Sequence, residues 1–280
     1  MNHNASPKII KNIAIANVWL WLSVFVSILV TITSLSGIFF EKTYFRETES
    51  WAVQAVGQDY ANLAVVILLL VSTYYVSKNS LRAYLVWLGA YIYLVYAFAI
   101  YAFSVHFNSL FLIYIMILGV SFYTLVGGLT AVKTANLSAS FISNTKSKIV
   151  SALLMIIGIL FSLLWLSEIV PGILSNKIPP SLVETGLWAN PVHVLDLAFI
   201  LPGMIITSVL LWRRNLLGFL MAVPLMVFSV TMGAGIICMF IISAVSGMPS
   251  SLPAGMIICL IMLLSVYFSY LFLREVKEHV

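Results

Sequence analysis

The chain has 280 residues, of which 62% are hydrophobic and only 8% charged, with a mean hydropathy of +1.10, a net charge of +5 and a pI near 9.2. Soluble domains carry about 25% charged residues. No water-soluble fold hides this much apolar surface, so lipid is the expected solvent and a soluble enzyme or nucleic-acid-binding domain is excluded.

A helix crosses the bilayer core with about 20 mostly apolar residues. Eight stretches meet that length: 13–38, 59–77, 84–105, 109–130, 149–170, 192–212, 216–243 and 256–273. The first follows Lys8 and Lys11, as a signal peptide would. It runs on to about Phe40 without a small-residue cleavage site, so it reads as a retained span. Lipid tolerates only helices or closed barrels, and these runs are too long and too unalternating for barrel strands. The expected fold is all-α, a polytopic integral membrane bundle of eight spans.

Charge sets the expected orientation. With the N-terminus inside, the inner segments hold Lys8, Lys11, Lys78, Arg82, Lys133, Lys146, Lys148, Arg213, Arg214, Arg274 and Lys277, and the outer ones only Lys42, Arg46 and Lys177. The acids Glu41, Glu47, Glu49, Asp59, Glu168, Glu184 and Asp196 fall outside, and only Glu275 and Glu278 inside. Cytoplasmic loops are enriched in Lys and Arg, so both termini are expected in the cytoplasm. The basic pI then reflects topology, and no nucleic-acid partner is expected.

Two halves show the same punctuation. Residues 1–130 and 149–280 each contain a first span, a long outer loop, a span with polar residues at its entrance, a short basic inner turn and two further spans. Shifting by 134 residues places Asp59 on His193 and Asn62 on Asp196. Four spans per half make such repeats parallel, related by an axis along the membrane normal. The Ser-, Thr-, Asn- and Lys-rich stretch 131–148 reads as a flexible cytoplasmic linker.

The outer loops carry helical signals. Ser181-Leu182-Val183-Glu184 is a capping-box pattern after Pro179-Pro180, with Gly186 placed to end the helix. Trp51–Val56 precedes Gly57, which reads as a break before the second span. Trp51 and Trp188 are expected at headgroup depth, where amphipathic rings prefer to lie.

The chemistry concentrates at the outer helix entrances. Asn190-Pro191 is a helix start, with Asn as cap and Pro in the first turn. His193 then lies in the first turn and Asp196 one turn deeper on the same face. Asp59 and Asn62 repeat that spacing. His106 sits in the turn His106-Phe107-Asn108, and Glu168 lies one turn before Pro171. Tyr96, three turns below His106 in a span crowded with aromatics, is a candidate to line a cavity. The bland account of each is local capping, snorkelling or packing. Ionisable groups in a span cost several kcal/mol unless paired, hydrated or used, so Asp59, Asn62, His106, Glu168, His193, Asp196 and Tyr96 are the ligand-binding candidates. His193, Asp196, Glu168 and His106 are the candidate ligands of a divalent metal. Pro202-Gly203 and Pro224 are residues that can interrupt helix hydrogen bonding within a span, though they also occur in ordinary spans.

The stretches Gly57-Gln58-Asp59, Tyr101–Asn108 and Asn190–Leu197, with Leu201-Pro202 and Trp212-Arg213-Arg214, resemble a group of prokaryotic multi-pass membrane proteins of unassigned activity. The resemblance implies a prokaryotic plasma-membrane location and carries no mechanism. Three readings follow from the residues. One is a transporter-like or small-ligand-binding protein with an extracytoplasmic polar pocket. Another is a membrane-embedded, metal-assisted enzyme acting on a lipid-like substrate, which requires Glu168, His193, Asp196 and Asp59 or His106 to converge. The third is a non-catalytic sensor or assembly partner.

Overall fold

A computed structural model of the chain describes residues 15–131, 141, 145–248 and 251–278. Among them the regular structure is helical throughout. The helices are α1 (Asn17–Phe39), α2 (Glu49–Ser77), α3 (Leu81–Ser104), α4 (Phe111–Thr130), α5 (Ser147–Ser175), the short α6 (Pro180–Thr185), α7 (Pro191–Trp212), α8 (Leu216–Val245) and α9 (Leu252–Glu275). All but α6 are long and apolar enough to cross a membrane, eight in total. The protein is a polytopic helical membrane bundle.

The peripheral helices α1, α4 and α9 are turned inside out relative to those of a soluble protein. The buried residues of α1 include Ser23, Ser27, Thr33, Ser34 and Gly37, while Trp21, Ile28 and Phe39 are exposed. α4 buries Ser121, Thr124, Gly127 and Gly128, and α9 buries Ser265, Ser269 and Phe272. Lipid tails are as apolar as leucine, so contacts between spans favour small residues and hydrogen-bonding hydroxyls. Ser23 shows how this works. Its hydroxyl donates to the Trp19 carbonyl of its own helix, and its oxygen accepts the Trp87 indole N–H at 3.0 Å and the Tyr91 hydroxyl at 2.8 Å from α3.

Within the first half α1 touches α2 and α4, and α3 touches α2 and α4, closing a ring of four helices. Within the second, α5 touches α7 and α9, and α8 touches α7 and α9. The halves join chiefly through α8, which packs along α2 and α3, whereas α7 meets α3 mainly through its first turns, Pro191–Leu195. At the end of the bundle rich in Lys and Arg, the basic end, Glu278 caps the start of α3, accepting from the Ser80 hydroxyl and the Leu81 N–H. Arg82 donates to the Val276 carbonyl there.

Several expectations are corrected. Gly57 does not break the chain; α2 runs unbroken from Glu49. A Cβ at Gly57 would overlap the Met239 backbone of α8. The glycine therefore serves close helix approach and not a turn. Trp51 is 9% exposed, with its indole N–H on the Ser104 carbonyl, so it does not lie at an open interface. Trp188 is fully exposed. Helix α6 forms and ends on left-handed Gly186, but it starts at Pro180, so Ser181 lies inside it and the capping box is not made. Pro202 does not break α7. Residues Asp196–Ile200 form one π-helical turn before it, with the Leu201 N–H on the Asp196 carbonyl. The wider turn absorbs the hydrogen bond that a proline removes. Most of 131–148 lies outside the described residues, but Phe141 is buried against Phe219 and Phe272, and Thr145 binds Glu275 at 2.7 Å. The linker is thus anchored, not merely solvated.

Replacing Gly57 by Val should force α2 from α8 and cost about 1–3 kcal/mol, as overpacking does. Gly119→Ala, where a Cβ meets nothing within 4 Å, should be neutral or stabilising. Thermal unfolding of the purified protein in one detergent compares the two.

Candidate functional site

The sequence-derived candidates separate into three groups. The first fills the interior of the α1–α4 ring. Asp59 is fully buried, and its carboxylate accepts the Tyr44 hydroxyl at 2.6 Å and the Tyr101 hydroxyl at 2.8 Å. Asn62, also fully buried, accepts from Tyr93 at 2.7 Å and lies 3.3 Å from the Tyr101 hydroxyl. Gln58 donates to Tyr93. A Cβ at Gly37 would collide with Asp59 and Tyr44, so glycine makes the slot in which this pair sits. Hydroxyl donors, not a cation, satisfy the carboxylate.

The second group is a surface clamp. Glu47 accepts from the His106 backbone N–H at 2.7 Å and lies 2.8 Å from its Nδ1. Arg46 donates to the Phe107 carbonyl, and Asn108 to that of Thr43. These bonds tie the α3–α4 turn to the loop before α2. His106 is thereby committed to the loop and does not join the other candidates.

The third group surrounds Trp165 of α5. Asn190 caps α7 as expected, accepting from the Val192 and His193 N–H groups. The His193 ring lies against the Trp165 indole, centroids 4.6 Å apart, with Nε2 3.7 Å from Glu168. Glu168 in turn accepts from the Ser181 N–H, so it caps α6. Asp196 accepts the Trp165 indole N–H at 2.8 Å. The segment carrying α6 is fastened further by Ser50 to Glu184 at 2.8 Å and Thr48 to the Thr185 carbonyl.

Asp196 and Tyr96 are the candidates that line a cavity enclosed among the helices of the second half and α3. This space of about 390 Å³ lies among α3, α5, α7, α8 and α9. Its mouth, at the end bearing α6, is formed by Ser50, Gln54, Glu184, Asn190 and Met248. Its floor is Ile157, Met204, Phe228 and Ile261. From Asn190 to Met204 the helical rise is roughly 20 Å, so the cavity reaches deep into a span sized for a hydrocarbon core about 30 Å thick. Tyr96 packs edge-to-face on Phe228, its hydroxyl beside Asp196 but closing no hydrogen bond of ordinary geometry. A smaller void of about 50 Å³ bordered by Gln58, Tyr101 and Tyr96 lies between this cavity and the Asp59 group.

The four-residue metal set does not assemble. Among the described residues no three His, Cys, Asp or Glu side chains form a group able to hold a metal ion. Asp196 turns to Trp165, Glu168 to α6 and His106 to Glu47. The convergence required by the metal-assisted enzyme reading is likewise absent, since Asp59 is enclosed by tyrosines. The sequence did not single out Tyr44, Tyr93 or Trp165, the partners that decide what each carboxylate does. Trp165 stands one helical turn before Glu168, which was the available signal; Tyr44 lies in a loop with none.

No protein-family model, curated protein or solved structure matches the chain.

Removing one hydroxyl from the Asp59 group should be costly. Tyr101→Phe leaves a buried carboxylate oxygen without its donor, a loss of about 1–3 kcal/mol. Tyr96→Phe removes a hydroxyl that closes no bond and should change stability by less than about 0.5 kcal/mol. Unfolding temperatures of the two variants test this contrast.

Proposed function

We propose that the protein is a transporter-like, small-ligand-binding membrane protein whose site is the Asp196 cavity. The carrying observation is the cavity itself. It pairs a carboxylate and a phenol with an otherwise largely apolar lining, and it runs from the exposed Glu184 at one end of the bundle down to Met204, beside the π turn and Pro202. Ligand pockets are typically concave, mostly apolar and furnished with a few placed polar groups. Non-standard helical turns within spans recur at functional sites.

The reading includes a duplicated architecture. The same neighbour pattern within residues 15–131 and within 145–278 supports two parallel four-helix units. In the first unit the interior is filled by Tyr44, Tyr93 and Tyr101 around Asp59; in the second the corresponding interior is open. With the positive-inside rule, the basic end faces the cytoplasm of a prokaryotic cell and the cavity opens on the extracytoplasmic side. The ligand is a small or lipid-like molecule whose polar group reaches Asp196.

Two measurements test this. With Cys238 and Cys259 replaced by Ser, a membrane-impermeant thiol reagent added outside intact cells should label the half-buried lining position Met232→Cys and not buried Leu211→Cys, and Ile236→Trp, nearer the mouth, should block the labelling. No labelling of Met232→Cys, or labelling only from the cytoplasmic side, would refute the outward-facing cavity. A C-terminal green fluorescent protein fusion should fluoresce, while alkaline phosphatase fused there should stay inactive; the reverse result would invert the topology.

A further inference from the structure

We infer that the cavity takes an organic cation, a lipophilic amine or onium ion whose charge rests between Asp196 and the surrounding aromatic rings. The inference builds on the cavity reading above and adds the ligand's chemical class. Asp196 is 8% exposed and lies within a span, where an unpaired carboxylate is costly. Its bonded partner is the neutral Trp165 indole N–H, and among the described residues no Lys, Arg or His nitrogen lies within 4.0 Å of it. His193, the nearest candidate, is turned towards Glu168 and Asn190. The charge is therefore left for the cavity's occupant to meet.

The lining selects the kind of cation. It contains two acids, Asp196 and Glu184, and no Lys, Arg or His, so an anionic ligand would find only like charge. A bare metal ion needs several oxygen ligands, whereas Asp196 is flanked by an N–H donor and a phenol. What the cavity supplies instead is ring surface from Tyr96, Phe161, Trp165, Phe228 and Phe240. Aromatic faces attract ammonium-type cations, most strongly where water is excluded. Met204, Met232 and Met239 add polarizable thioethers that adapt to varied apolar bodies. Glu184 at the mouth carries the same sign as Asp196 and would draw a cation inward.

The test is binding of tritiated tetraphenylphosphonium to the full chain in lipid nanodiscs. Saturable binding is expected for the wild type and none for empty discs or the cavity-filling Met232→Trp. Asp196→Asn should weaken it roughly thirtyfold or more, as expected when one member of a buried charge pair is removed, and Asp196→Glu should retain it. Neutral triphenylphosphine oxide at equal concentration should not displace it. Equal binding by Asp196→Asn, or displacement by the neutral compound, overturns the inference. If Asp196→Asn fails to fold by size exclusion, the wild type, Met232→Trp and neutral-competitor comparison decides alone. If the cation does not bind but neutral N-phenyl-1-naphthylamine occupies the wild type and not Met232→Trp, the cation class falls and the cavity reading stands. If neither probe shows a signal sensitive to Met232→Trp, both fall.

Discussion

A polar group inside a bilayer has no water to fall back on, and each group left unmet costs several kcal/mol. In this chain the constraint is most severe at Asp59, a fully buried carboxylate with no basic partner among its bonds. Two tyrosine hydroxyls from two different elements meet it, and that requirement fixes much of the first four helices. Tyr44 must fold back from the loop after α1, Gly37 must lack a side chain, and Tyr101 must face inward from α3. The same pressure places Trp87 and Tyr91 on Ser23, while the small residues buried on α1 and α4 let neighbouring helices approach closely.

Asp196 answers that constraint differently. Trp165 supplies one hydrogen bond, and the rest of its environment is a cavity instead of a ring of hydroxyls. The contrast has a structural origin in how α8 is used. It packs densely on α2 and α3, while α7 approaches α3 only near its start, leaving space between them. The π turn at Asp196–Ile200 belongs to this arrangement, because it carries α7 past Pro202 without a break and lets Asp196 point to Trp165 and the cavity together. The first half reads as a rigid filled unit against which the hollow half is held.

The loops at the end bearing α6 serve to hold that cavity's mouth. Glu168 caps α6, Ser50 and Thr48 bind Glu184 and Thr185, and Glu47 fastens His106. Two of the candidate residues, Glu168 and His106, are thus employed in fixing loops, each satisfied locally. Charged groups at helix ends more often meet free backbone N–H groups than substrates, because those orphan donors are always present.

The number of spans, their approximate limits and their helical nature were legible from the sequence, because span length and hydropathy are local quantities. The Asn190–Pro191 helix start was legible for the same reason. What failed was any inference that needed a partner from elsewhere in the chain. Gly57 looked like a loop exit because the sequence does not show Met239 pressed against it, and Ser181 looked like a cap because the sequence does not show Glu168 filling that role. Asp59 and Asp196 were both read as ligand-binding candidates at helix entrances, and Asp196 also as a metal ligand. Only tertiary packing, by bringing Tyr44 and Tyr101 to one and leaving open space beside the other, decided that the first is a closed structural centre and the second faces a cavity.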